Sequence, residues 1–428
     1  MINRSFFGIA PPKLTYETIS DEPPKPVSVF PKEKVTLFIN EPMEKAAKPL
    51  IQTGTRVSAG QKLQLTADSR AYVVSPVSGS IDAVTPFTGV MEKQMTSVVI
   101  RVEKEEGDPE GDGAFEAAAK TPGLETALDF LSGLPGAPDF SALARSDDPV
   151  KTILILGADN DLMTITNQFV VRTEGGAIKD GVDVLRRLTG GRNVNMIMAV
   201  PSNLVQAAGA AGVAVKGVSN LFPQANPEMI ALSFVGPEAP GHKDSVAFFT
   251  AEAVARMGQA FKNGKIPFEK LITFVGKDGA KKIVSAPVGT PVKDILEKVG
   301  ATVKDGDRII FGGPMTGVSI YSIDHPVEPD TDAIILQDKS QIIPSEDFAC
   351  INCGQCVRVC PTHVPVNVLI RYLDAGEYEQ AAEQAELDAC IECGYCTYVC
   401  ESRIPIFQHI RLAKHALKRM KAAEENNA

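Results

Sequence analysis

All eight cysteines of this 428-residue chain fall between Cys350 and Cys400. They form two runs, Cys350-Ile-Asn-Cys353-Gly-Gln-Cys356-Val-Arg-Val-Cys360-Pro361 and Cys390-Ile-Glu-Cys393-Gly-Tyr-Cys396-Thr-Tyr-Val-Cys400. Both read C-x2-C-x2-C-x3-C. Thiolates spaced two residues apart on a tight loop can reach three corners of one iron–sulfur cube, and the fourth points away to the cube held by the other run. The pattern therefore assigns Cys350, Cys353, Cys356 and Cys400 to one [4Fe–4S] cluster, and Cys360, Cys390, Cys393 and Cys396 to a second. The alternative is structural zinc, which ordinarily uses two C-x2-C pairs across a longer spacer rather than two complete four-cysteine runs. A disulfide framework would spread its cysteines across the fold and belongs to oxidising compartments. Gly354 and Gly394 stand where backbone passes close to sulfur. Pro361 closes the first loop; the second has Glu401 there, with Pro405 arriving later, a departure that removes no ligand.

Other elements must position these loops. The stretch Val364 to Ala389 between them is rich in Ala, Glu and Leu and is expected to be helical. The pair ACINCGQCVRVCPTHVP and ACIECGYCTYVCESRIP is a pseudo-repeat, which suggests two related halves facing each other. Phe407 to Lys421 reads as an amphipathic basic helix, either a docking element for a membrane or acidic partner or a solvated capping face. Near the N-terminus, KVTLFIN, KLQL, AYVVSPVSGSIDAV and TSVVIRVEKE are short strands split by Gly and Pro turns. The pairing of GTRVSAGQKL with SPVSGSI resembles a biotinyl/lipoyl-type barrel-sandwich domain. Its hairpin tip, TADSRAYV, has no lysine, and Lys62 lies in the strand before it, so the domain is expected to be scaffold rather than a swinging arm. GDPEGDGAFEAAAKTPG is a Gly/Pro/acidic linker. TILILGA (152–158) and NMIMAVP (195–201) are buried-strand candidates on either side of a helical stretch from Asp161 to Leu188, and this alternation suggests a parallel sheet. LITFVG, the apolar-to-helical run KKIVSAPVGTPVKDILEKVG, and GDRIIFGGPMTG suit a small β-grasp unit, with Gly312-Gly313-Pro314 as a tight turn.

The expected fold is thus a multidomain α/β and α+β chain. It comprises a β barrel-sandwich hybrid over 1–106, a linker over 107–123 and a Rossmann-like α/β domain over 124–262. A β-grasp domain follows over 263–340, and an α-helical, ferredoxin-like domain with two [4Fe–4S] clusters over 341–428. Hydrophobic content of 44% suits globular folding, and a net charge of −10 without a basic patch argues against nucleic acid as a partner. No continuous apolar segment reads as a secretory signal or membrane span. His242, His325, His363, His409 and His415 are scattered and form no ligand pattern.

The domain order, GGPMTG at 312–317 and both cysteine loops resemble the RnfC family, the C subunit of the Rnf ion-translocating electron transport complex, over nearly the whole chain. The cobalamin reductase of propanediol metabolism shares the layout, and the flavoprotein subunit of respiratory complex I shares the α/β part and a β-grasp part of SLBB type. The resemblance implies a peripheral subunit on the cytoplasmic side of the inner membrane, working with the other subunits of a membrane redox complex. It also implies an NADH and FMN site in the α/β region, built on a glycine-dense loop similar to GGAGFPT. This chain departs there. It has Gly133-Leu-Pro-Gly136-Ala-Pro-Asp-Phe140, where two prolines remove N–H donors and Asp139 repels phosphate. After the first α/β strand it has Gly157-Ala158-Asp159-Asn160-Asp161 where the family resembles NGAECEP. FMN is therefore doubtful, and Gly133, Gly136 and Gly157 are the residues of a vestigial FMN or NADH site. Three functions stay open. The first is an electron-transfer subunit relaying electrons through two clusters between a soluble partner, ferredoxin or cytochrome, and membrane subunits. The second is an NADH-oxidising, FMN-dependent or cobalamin-reductase-like entry module. The third is an assembly scaffold whose clusters only stabilise the tail.

Overall fold

The computed structural model describes residues 12–43, 50–103, 114–121, 123–145, 149–190, 192–236, 245–343 and 348–427. The multidomain α/β and α+β architecture is present, and its units share strands and cores.

The barrel-sandwich unit is an antiparallel sheet in the order Lys34–Ile39, Gln94–Val102, Gly79–Thr88, Arg56–Val57, with a small ladder of Lys62–Leu63 on Val73–Val74. Strict alternation along KVTLFI buries Val35, Leu37 and Ile39 on one face, as a period of two requires. Lys62 is clamped: its ammonium lies 4.4 Å from the centre of the Tyr72 ring and 3.8 Å from the Asp129 carboxylate. A lysine held this way is not a presented carrier arm.

Of the expected linker, residues 107–113 and 122 lie outside the described residues. The rest corrects the expectation, because Ala114–Ala119 is a helix whose Phe115 is buried between Phe130 and Phe261, ring centroids 5.7 Å from each. One buried aromatic outweighs the acidic and glycine composition around it.

The α/β unit has four parallel strands in the order Ala214–Val218, Asn195–Pro201, Thr152–Leu156, Val246–Thr250. All five residues of Thr152–Leu156 are buried, as expected of a strand covered on both faces. The chain order reverses between Thr152–Leu156 and Val246–Thr250, which is the crevice where such sheets bind ligands. Helices Gly175–Leu188 and Ala251–Asn263 pack on each other through Gly181 and Gly258.

The β-grasp unit is a six-stranded mixed sheet ordered Val27–Ser28, Lys281–Pro287, Glu269–Val275, Ala333–Gln337, Arg308–Phe311, Val318–Ile320, covered by helix Val292–Val299. Its first strand comes from the N-terminal segment, so residues 27–28 leave the barrel region in which the sequence puts them. Residues before them do the same: Thr15 bridges to Leu221, and Tyr16 N–H donates to Asn220 O at 2.8 Å. The α/β and β-grasp units are further joined by a buried charge cluster. The fully buried Lys270 ammonium donates to Glu252, to Asp332 Oδ1 at 2.8 Å and to Leu271 O at 2.9 Å.

The C-terminal unit is helical. Val366–Asp374 buries Val366, Leu369, Ile370 and Leu373, and Ile406–Asn427 buries Ile406, Phe407, Ile410, Ala413 and Leu417. Both stripes have helical spacing and meet in one core, on which Cys356, Cys360, Cys390, Cys396 and Cys400 pack.

Candidate metal centres

The two cysteine loops have the same backbone. Asn352, Gly354 and His363 take positive φ of 54°, 72° and 60°; forty residues on, Glu392, Gly394 and Arg403 take 54°, 75° and 53°. Each loop turns through left-handed residues into a short helix, Gln355–Val359 or Tyr395–Tyr398, so its cysteines converge on one side. Cys350, Cys353 and Cys356 line a single cavity together with Cys400 from the other run, walled by Ile351, Ile370, Ile404 and Ile406. Among the described residues no three His, Cys, Asp or Glu side chains converge on one ion position. The four cysteines line one space, an arrangement that suits a cluster held at its corners.

Burial and neighbouring thiols raise several of these groups. Burial, and then neighbouring Cys353, Cys400 and Cys350, push the Cys356 thiol up to about 11. Burial, and then Cys390 and Cys360, push Cys393 up to about 12. Burial also raises Cys390 and Cys396. The residues thus fit two clusters, which bind thiolates and release these protons on assembly.

The two quartets differ in exposure. Cys350 and Cys353 are exposed, beside Phe348 and Ile351, which are 59% and 68% exposed. Cys393 is buried in a core shared with Tyr16, Leu156 and Phe222 of the α/β region. Its loop is tied down on several sides. Tyr395 O–H donates to Pro12 O, the Tyr395 ring meets Phe222 edge-on at 5.6 Å, and Asn226 Nδ2 donates to Ile391 O at 3.3 Å. Gly394 lies so close to the GGPMTG turn that a Cβ there would stand 2.5 Å from Met315 O. That turn is itself held by Asp161, whose carboxylate accepts from Thr316 N at 2.7 Å, Thr316 Oγ1 at 2.6 Å and Met315 N at 3.2 Å.

The three glycines of the expected flavin site do not form one cradle. Gly133 is exposed and lines a groove against the barrel, beside Thr36 and Val73. Gly157 is packed between Val171 and Val200, and its N–H and that of Ala158 both donate to Ala199 O, at 2.7 and 3.1 Å. Gly136 lies on the N-terminus of helix Ala251–Asn263, with Thr250 Oγ1 donating to its carbonyl at 3.1 Å. The first-turn donors a phosphate would need are taken: Ala253 N–H by Thr250 Oγ1 and Glu252 N–H by Asn167 Oδ1. Asp159 caps the neighbouring helix Thr166–Thr173, accepting from Asn167 N at 2.8 Å. Beyond this crevice lies a cavity of about 720 Å³ between the barrel hairpin, the GGPMTG turn and helix Ile406–Asn427. Its wall carries Asp161, Glu328, Asp330 and Asp332 against Lys93 and Arg411, a balance that disfavours phosphate. These residues do not fit FMN.

Sequence reasoning missed Glu252, Lys270 and Asp332, and gave Asp159, Asp161 and Lys414 no such role. Each is an ordinary charged residue whose role depends on a partner elsewhere in the fold. His325, unremarkable in the sequence, lines the large cavity, its ring 5.1 Å from that of Phe311.

Residues 7–105 match the RnfC barrel sandwich hybrid domain, and residues 333–404 match a 4Fe-4S dicluster domain, which assigns two [4Fe–4S] clusters to the cysteine window. The latter match begins inside the β-grasp strand Ala333–Gln337. The chain is similar to the C subunit of the ion-translocating oxidoreductase complex of Klebsiella pneumoniae (strain 342), 25% identical over 87% of this chain and 52% of that one. The corresponding protein of Serratia proteamaculans (strain 568) is 24% identical over 87% and 56%. That of Methanosarcina acetivorans is 26% identical over 80% and 83%. The chain thus spans about half the length of the two enterobacterial relatives. Among solved structures, NAD+-reducing [NiFe]-hydrogenase in the H2-reduced state is similar over 71% of this chain and 64% of that one, at 13% identity and a TM-score of 0.45. The barrel-sandwich match, the dicluster match and relatives of one description along most of its length agree: the chain carries an RnfC barrel sandwich hybrid domain and a 4Fe-4S dicluster domain, and is similar to the C subunits of ion-translocating oxidoreductase complexes.

Proposed function

We propose that this chain is an electron-transfer subunit of an Rnf-type, membrane-associated, ion-translocating oxidoreductase, and that it works without a flavin of its own. Cys350, Cys353, Cys356 and Cys400 hold one cluster; Cys360, Cys390, Cys393 and Cys396 hold the other. Bound there, each cluster would supply one-electron transfer. The residues of the chain set where those electrons enter and leave. The observation that carries the reading is the contrast between the quartets: one opens at Cys350 and Cys353 among exposed apolar side chains, while the other is fastened to the body of the protein through Gly394 and Tyr395. A redox protein, ferredoxin or cytochrome in class, docks at the exposed rim, and the chain sits peripherally on the cytoplasmic side of the membrane through partner subunits. No helix among the described residues is long and apolar enough to cross a membrane.

The test is an anaerobic titration of the cluster-loaded chain, with and without added FMN, followed by iron–sulfur absorbance. Reduced ferredoxin and dithionite should bleach it fully, and NADH should not. Bleaching by NADH would overturn the flavin-free reading and make the chain an NADH-oxidising entry module.

A further inference from the structure

Lys414 projects from helix Ile406–Asn427 onto the second cysteine loop. Its ammonium donates to Cys390 O at 2.6 Å and lies 3.1 Å from the Glu392 carboxylate; the side chain is only 21% exposed. Glu392 in turn donates its backbone N–H to Cys390 Sγ at 3.4 Å. The pseudo-repeat supplies an internal control. Forty residues earlier, Glu392 is replaced by Asn352, whose Oδ1 accepts from Asn367 Nδ2 at 2.9 Å, a neutral pair. The position forty residues before Lys414 is Asp374, an anion 3.9 Å from His409 Nδ1. One half of the repeat therefore has a half-buried cation on the carbonyl of its first cysteine, where the equivalent positions of the other half hold a neutral amide pair and a carboxylate turned to His409.

We propose that Lys414 is a positioning residue that fixes the Cys390 loop and raises the reduction potential of the cluster held by Cys360, Cys390, Cys393 and Cys396, leaving the other cluster's potential unchanged. Reduction adds one electron, and so one negative charge, to a cluster already bound by four thiolates. A nearby cation stabilises the reduced form more than the oxidised one, and partial burial limits solvent screening. Glu392 opposes this from the more exposed side, so the two charges act with opposite sign. The better-seated cluster then becomes the place where an electron rests, and the exposed one the place where it is exchanged.

The inference rests on the two-cluster reading above, and one experiment separates them: EPR-monitored redox titration of the full, anaerobically loaded chain, with dithionite as reductant and iron analysis alongside. The wild type should show two waves and full iron content; half the iron would sink the two-cluster reading instead, and a single wave at full iron would overturn the proposed difference between the clusters. Lys414→Gln, which keeps a donor but loses the charge, should move one wave to more negative potential, and Lys414→Arg should return it. Glu392→Gln should move the same wave to more positive potential. Waves that stay in place, or that move together, in iron-replete K414Q overturn the proposal. If K414Q fails to load its cluster, E392Q decides alone, and an unmoved wave there overturns it.

Discussion

Gly354 and Gly394 occupy equivalent places in the repeat, with φ of 72° and 75°, yet a methyl group would meet nothing within 4 Å at the first and the Met315 carbonyl at 2.5 Å at the second. Alanine at either site incurs the left-handed penalty of about 1–2 kcal/mol. Only Gly394→Ala adds an overlap with backbone, and Met315 cannot yield freely because Asp161 holds the turn on both Met315 and Thr316. Overpacking of this kind costs about 1–3 kcal/mol, or a further ~5- to 140-fold in the opening equilibrium of the loop. Release of iron to a chelator under anaerobic conditions reads that opening, with EPR showing which cluster is lost. Relative to wild type, G394A should accelerate loss of its own cluster by that extra factor over the acceleration G354A causes in the other. Equal accelerations would refute the docking of the second loop on the GGPMTG turn.

Crossed ligation predicts that Cys400→Ser abolishes the EPR signal of the cluster at the exposed rim and spares the other, while Cys360→Ser does the reverse; loss of the cluster from the mutated run itself would show uncrossed ligation. Lys270→Met would leave Glu252 and Asp332 without their shared cation, at a cost of about 3–5 kcal/mol for a broken buried pair, read as a lower urea midpoint for the α/β and β-grasp units. An unchanged midpoint would mean that water reaches these carboxylates. Burial raises Asp159 from 3.8 to about 6, against the opposing bonds from Asn167 and Gln168. A raised folded-state value favours the protonated form, so this contribution to stability is present below about pH 4 and lost as pH rises through about 6, on the order of 3 kcal/mol. Urea midpoints measured from pH 4 to 8 should carry that slope in the wild type and lack it in Asp159→Asn.

The metal chemistry is legible in the sequence because it is local: cysteine identity and spacing along one loop dictate what the thiols can reach. The parallel sheet is legible for a related reason, since TILIL and MIMAV are apolar throughout, as only strands covered on both faces are. What the sequence hides is where segments go after their own element ends. Nothing in residues 12–29 announces that Tyr16 will lie against Asn220 and Val27 pair with Val284, because backbone pairing leaves no signature in side-chain type. Phe115, surrounded by glycine and acidic residues, reads with its neighbours as linker and is in fact a core residue. The resemblance puts a vestigial flavin site at Gly133 and Gly136, yet Gly136 is glycine for lack of room against Ala253 and for its φ of 89°.

Several of the contacts that the sequence hides share one location, the C-terminal edge of the α/β sheet. Tyr16 crosses the strand ends beside Asn220, Gly136 lies on the helix that follows Val246–Thr250, Asp159 caps the helix after Thr152–Leu156, and Asp161 reaches across to the β-grasp turn. In a sheet of this topology that edge offers free N–H groups to a nucleotide. Here the chain's own groups satisfy them. The contacts that result run in one direction, from the sheet through Asp161 to Met315, from Met315 to Gly394, and from Phe222 to Tyr395. A framework able to present a cofactor thus serves as a rigid mount for the second cysteine loop. That is why a change at Asp161, which touches no cysteine, is expected to be felt at Cys393 and not at Cys353.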